Sequence, residues 1–216
     1  MTIKHHPSEE TLLRFATGTL GAGPALVVSV HLDRCDHCRQ RLTSLEAVGG
    51  EILEKMPPAS LPADFFGRTL ERMHNNERLR VARTPSSTHP ELGIELPRAL
   101  DECELTPWKW LGPGFRWSKI KIPGSPDAKV MLLKGRAGLH LPVHGHTGLE
   151  VVQMLSGSLS DQRGEYLPGD LDEADDEVVH GPIVGTDSEC ICLAALEGDS
   201  HLHGFLGRLL RPFVGF

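Results

Sequence analysis

Nothing in the 216 residues approaches the ~20 consecutive apolar residues that span a bilayer. The longest apolar run, around Ala25–Val30, is short and follows Gly21, Gly23 and Pro24. The opening Met-Thr-Ile-Lys-His-His lacks the apolar core of a secretory signal. A cytoplasmic protein without membrane contact is therefore expected. There is no basic excess either: 22 Lys and Arg face 29 Asp and Glu, a formal net charge of -7, which argues against direct nucleic-acid binding. Five cysteines, an odd number, do not make a disulfide framework in a reducing compartment and leave metal or redox roles open. With 39% hydrophobic and 24% charged residues the chain is globular rather than disordered. What is abundant is histidine, twelve residues against five Met, three Trp and one Tyr. Histidine is the commonest metal ligand, so what matters is whether the twelve are scattered or clustered.

Charge and periodicity divide the chain. Residues 1–83 carry eleven basic and ten acidic side chains, and the remainder carries the whole negative excess, a net of -8. Between them Thr84–Gly93 is rich in turn formers, which places a helical unit at 1–83, a linker at 84–97 and a second unit at 98–216. Ser8-Glu9-Glu10 reads as a cap and an acidic first turn of a helix that Gly18 stops. A second helix is expected from Pro24 to about Arg34. A third runs from about Asp36 to the Pro57-Pro58 break, and a fourth over roughly Ala63–Ala82. Four helices in some eighty residues have little core, and such units usually need a metal or a partner. Downstream, Trp108–Trp110, Phe115–Ile122, Val130–Leu133, Glu150–Leu155, Tyr166-Leu167 and Cys190–Leu196 read as strands between Gly/Pro turns, the pattern of a β-sandwich or barrel.

The first histidine cluster is His31-x3-Cys35-x2-Cys38. Spacings of four and three bring the three side chains to one point at a helix end, and an imidazole with two thiolates suits zinc, which takes four tetrahedral N/S ligands in structural sites. His5 and His6 are the available fourth donors, and His6 sits nearer the helix start. A thioredoxin-like redox pair would want a βαβ setting, which the pattern lacks. His37 is expected to point away from the cluster. The arrangement resembles the zinc anti-sigma domain, whose signature is His-x3-Cys-x2-Cys with an upstream histidine. The resemblance implies a four-helix unit that uses His6, His31, Cys35 and Cys38 for zinc and holds an extracytoplasmic-function (ECF) sigma factor away from RNA polymerase.

The second cluster lies in Gly138-x5-His144-Gly-His146-x3-Glu150-x6-Gly157. On a strand His144 and His146 face the same side, and Glu150 returns after the Thr147-Gly148 turn. Two imidazoles and a carboxylate inside a barrel accept Zn, Fe, Mn or Ni. The spacing is similar to the first cupin motif at every fixed position. The second cupin motif implies His180 as a further ligand after Pro168-Gly169, although the gap is longer than the family's and the glycine directly follows the proline. His140 is expected at the barrel mouth, and His201 and His203 in a loop. Cys190 and Cys192 share one strand face, where they either pack as small hydrophobes or serve as candidate redox thiols beside the metal. The acid-rich Asp170–Glu177 reads as a solvated loop.

A zinc anti-sigma unit followed by a cupin resembles the ChrR-type anti-sigma factors over nearly the whole chain, including Cys190-Ile-Cys192 and the closing Pro212-Phe213. The resemblance implies a transcriptional regulator that binds an ECF sigma factor and releases it when singlet oxygen or related oxidants act on the cupin unit. The competing expectation is a metal-dependent cupin dioxygenase or isomerase, with Tyr166 or His140 as its base.

Overall fold

The computed structural model describes residues 2–76 and 93–202; the expected end of the fourth helix, most of the linker, His203 and Pro212-Phe213 lie outside them. Four helices come first: α1 (Glu9–Ala16), α2 (Ala22–Leu32), α3 (Asp36–Glu54) and α4 (Phe65–Asn76). Ser8 caps α1 by accepting the Thr11 N–H through Oγ, and Gly18 leaves the helix at φ +69, a value that suits a residue without Cβ. α2 is apolar on nearly every side, the mark of a helix enclosed by other elements. Val27, Val28 and Val30 are fully buried, each worth about 1.5–3 kcal/mol relative to exposure. Cys35 caps α3, its Sγ taking the Cys38 N–H.

Among the described residues twelve strands follow, all paired antiparallel. They are β1 (Glu104–Leu105), β2 (Lys109–Gly112), β3 (Phe115–Lys121), β4 (Lys129–Gly135), β5 (His144–His146), β6 (Glu150–Ser156), β7 (Leu159–Asp161), β8 (Gly164–Tyr166), β9 (Leu171–Ala174), β10 (Ile183–Val184), β11 (Cys190–Leu196) and β12 (Ser200–Leu202). The large sheet runs β1-β3-β4-β11-β6-β9 with β2 beside β3, and β10-β7-β8 and β12-β5 make two smaller ones. This is the expected cupin-like β unit behind a helical N-terminal unit.

The large sheet is covered on both faces, and strand alternation sorts its side chains. Val130, Leu132, Val151, Leu155, Ile191 and Leu193 pack toward the helices in one core with Val27, Val28 and Leu12. Their neighbours Met131, Val152, Met154, Cys190 and Cys192 face the opposite way, into a second core. Burial on both sides explains why β6 and β11 read as unbroken apolar runs. Gly23 of α2 lets that helix approach closely, since a Cβ there would press on Val130 and Ala195.

Three polar ties add to this packing. Arg14 holds Glu197 through both carboxylate oxygens at 3.0 and 2.8 Å, and Glu197 also accepts the Gly21 N–H. Glu173 accepts from Ser8 N and Thr11 Oγ1. Asp170, fully buried, accepts the Lys4 and His5 N–H groups on one oxygen and the Leu167 N–H on the other. The Leu171 N–H then donates to the His5 carbonyl, so the segment before α1 is strapped along the start of β9.

Two expectations need correction. The acidic run is a solvated loop only in its second half: Leu171–Ala174 forms β9 with Leu171 and Ala174 buried, and Asp170 binds the N-terminal strap, while residues 175–177 are exposed between strands. His201 lies in β12, opposite Gly145 of β5, rather than in a loop.

Candidate metal centres

His6, His31, Cys35 and Cys38 converge, with their donor atoms within 4.8 Å of one another. α2 presents His31 at its last turn, the α2–α3 junction turns Cys35 and Cys38 inward, and the strap supplies His6. His6 Nδ1 lies 3.3 Å from both sulfurs. Tetrahedral zinc, with Zn–N ~2.0–2.1 Å and Zn–S ~2.3 Å, wants neighbouring N and S donors roughly 3.5 Å apart, so these spacings fit. His31 Nε2 is buried without a hydrogen-bond partner, whereas its Nδ1 meets Gln153 Oε1 of β6 at 3.1 Å. A buried, unpaired ring nitrogen aimed at two thiols is what a metal ligand leaves behind. Burial pushes His31 down to about 4 and Cys38 up to about 12, so the metal-free cluster holds a neutral imidazole and a protonated thiol. His5 turns away to stack at 4.5 Å on Tyr166. His37 is exposed, although its ring comes within 5.0 Å of His6.

The second group forms inside the cupin unit. Period-two alternation on β5 places His144 and His146 on one side, the turn brings back Glu150 at the head of β6, and His180 pairs with His144 through a two-way backbone bridge. His144 Nε2 and His180 Nε2 are 3.2 Å apart, and Glu150 Oε2 lies 3.1 Å from His146 Nε2 and 3.4 Å from His180 Nε2. His144 Nδ1 donates to the Pro142 carbonyl, which leaves Nε2 free for a metal. His180 Nδ1 faces Asp161 Oδ2 at 3.3 Å, a carboxylate–histidine pairing of the kind that orients metal-bound imidazoles. Burial would raise the Glu150 carboxyl, but the imidazoles of His146, His180 and His144 hold it well below the usual carboxylate range. Burial keeps His144 low, while contact with Glu150 outweighs burial at His180 and raises it. The result is an ionised carboxylate ringed by three imidazoles, a donor set for a divalent transition metal.

Asp161, Asp172 and His180 also approach one another, but Arg163 occupies the space between them. Its Nη2 lies 2.8 Å from Asp161, 2.8 Å from Asp172 and 2.9 Å from His180 Nδ1. This is an internal ion-pair cluster that fixes the Asp161 and Asp172 carboxylates beside His180, with the guanidinium standing where a cation would.

A cavity opens beside the second group, lined in part by Phe115, Leu133, Met154, Tyr166, Cys190 and Cys192. Both thiols are buried and line the same cavity as His144, Glu150 and His180, and Cys192 is raised by its hydrogen bond with Cys190 and by burial. Gly157, the last glycine of the motif, has φ +71 against the backbone of Glu189 and Cys190, where a Cβ would collide.

A family model described as the ChrR cupin-like domain matches residues 97–198. The anti-sigma-E factor ChrR of Cereibacter sphaeroides is 34% identical over 215 residues, covering 99% of both chains. The chain belongs to the ChrR family. ChrR in the crystal structure of Rhodobacter sphaeroides SigE with that anti-sigma factor superposes with a TM-score of 0.70 at 35% identity, covering 91% of this chain and all of that one. In this member of the ChrR family, sequence reasoning missed Gln153, Asp161, Arg163 and Asp170. The one visible trace was Gln153, a polar residue inside the apolar run Val151–Leu155. Among the described residues no helix is long and apolar enough to cross a membrane.

Proposed function

We propose that this protein is an anti-sigma factor that binds and inhibits an ECF sigma factor in the cytoplasm, by protein–protein contact without touching nucleic acid, and releases it under singlet-oxygen or related oxidative stress. The observation that carries the reading, beside the end-to-end similarity to ChrR, is the apolar surface of α3, α4 and their connection. Val48, Ile52, Leu53, Met56, Leu61, Phe66 and Met73 are all exposed there, and Phe66 is 74% accessible. Large apolar side chains exposed on helices that the sheet does not cover suit helix-in-groove recognition by a protein partner.

In this reading residues 1–83 are the sigma-binding unit, joined by residues 84–97 to the sensory cupin of residues 98–216. Zinc is held by His6, His31, Cys35 and Cys38, where it ties the strap to the α2–α3 junction. Zinc, or iron, manganese or nickel, is held by His144, His146, Glu150 and His180. Cys190 and Cys192 are the candidate redox thiols. Their position in the cavity supports that role, and the raised Cys192 thiol means that its oxidation does not start from a pre-formed thiolate. The test is a pull-down of the co-encoded sigma factor by the full chain. Wild type retains sigma, and the Cys35→Ala/Cys38→Ala double variant loses it. Equal retention by both would sink the reading.

The cavity beside the second group favours one other reading, a metal-dependent dioxygenase or isomerase. Of its two proposed bases, His140 is exposed outside the cavity lining, and Tyr166 is raised by burial and by Asp172, which makes it a poor base near neutral pH.

A further inference from the structure

The β6 strand carries unrelated polar groups on its two faces. Glu150 turns toward the cupin ligands, while Gln153 turns to the helices and is completely buried among apolar neighbours. A fully buried amide in an apolar core is costly unless each of its groups is paired. Gln153 Nε2 donates to the Met154 carbonyl at 3.2 Å, which fixes the amide orientation and aims Oε1 at His31 Nδ1, 3.1 Å away. An amide oxygen can only accept, so Nδ1 must carry the imidazole proton. A neutral imidazole protonated at Nδ1 has its lone pair on Nε2, the buried atom left without a partner that faces His6, Cys35 and Cys38.

We propose that Gln153 is a positioning residue for the helical metal site: the cupin sheet sets the tautomer and ring orientation of His31 so that Nε2 is the ligand atom. The proposal rests on the reading that His6, His31, Cys35 and Cys38 hold a metal. Helix α2 supplies the ligand and a strand more than a hundred residues downstream supplies the group that orients it. The helical metal site is therefore completed by the cupin unit, through the same strand that contributes Glu150 to the other site.

The experiment uses the full chain loaded with Co(II), comparing wild type, Gln153→Leu and Gln153→Glu. Thiolate-to-cobalt charge-transfer absorption reports only the site that contains Cys35 and Cys38, because the His144 group has no sulfur donor. A competing chelator, titrated against that band, gives the affinity. Gln153→Leu removes the acceptor but fills the apolar space, and a 10–100-fold loss of affinity is expected. Gln153→Glu keeps an acceptor for Nδ1–H and is expected to bind within about threefold of wild type or tighter. Wild-type affinity in Gln153→Leu would overturn the proposal, as would an equal loss in both variants, which marks a merely structural role. Absence of the charge-transfer band from wild type would instead overturn the underlying reading of the four residues as a metal site, and this proposal with it.

Discussion

His31 and Cys38, two of the four proposed zinc ligands, show what burial does to a side chain. With His31 held near 4 and Cys38 near 12, neither carries charge at neutral pH in the metal-free protein, so a dication bound there must displace the Cys38 proton. The Cys38 thiol gives about one proton released per metal, and affinity that rises about tenfold per pH unit near neutrality. Calorimetry in buffers of different ionisation enthalpy measures that number, and a value near zero would contradict it. Asp170 behaves in the opposite sense to Cys38. Burial alone would raise it, but the N–H groups of Leu167, Lys4 and His5 outweigh that and hold it below 3.8. Its contribution is therefore fully present above pH 3.8 and is lost as pH falls through the lower folded value. Amide exchange at Lys4 and His5 is expected to accelerate only below about pH 4. Asp170→Ala is expected to expose the strap already at neutral pH, at a cost of about 1–3 kcal/mol for the orphaned donors. Unchanged exchange at those two amides in that variant would show that the carboxylate does not hold the strap.

At the scale of elements, α2 and α4 are opposites. α2 is apolar around its circumference and sealed between the other helices and the large sheet, whereas the apolar residues of α4 and the second half of α3 face solvent. Substitutions there separate binding from folding: Ile52→Ala and Phe66→Ala are each expected to weaken sigma binding by about 1–3 kcal/mol while changing stability by less than ~0.5 kcal/mol. Equal losses of binding and of melting temperature would show that this face belongs to the core. Much of this was readable in the chain, because local rules govern it. The Ser8 cap, the Cys35-x2-Cys38 turn, the His144-x-His146 alternation and the two-sided apolar runs of β6 and β11 each follow from a single period or cap. The rest depends on distant pairing. β5, β7, β8 and β12 are three residues long, too short to show a period, and the acidic run reads as surface until β9 is set beside β6 and Arg163 is placed between Asp161 and Asp172. His180 is located by a bridge to His144 rather than by spacing, and the partnership of Gln153 with His31 spans 122 positions.

For the molecule as a whole, the two halves that charge and periodicity separate are joined by one hydrophobic core, the Glu173, Glu197 and Asp170 ties and the Gln153–His31 contact. A change at the candidate cupin ligands thus has a short route to α1 and α2, against which α3 packs, and a coupling of ~1–3 kcal/mol would alter partner affinity 5–150-fold. The most direct test is the affinity of the full chain for its ECF sigma factor before and after exposure to singlet oxygen, in wild type and in His144→Ala and Glu150→Ala. The account predicts that all three bind sigma equally before exposure and that only wild type loses affinity afterwards. Release from the variants as fast as from wild type, or loss of basal binding in either variant, would contradict it.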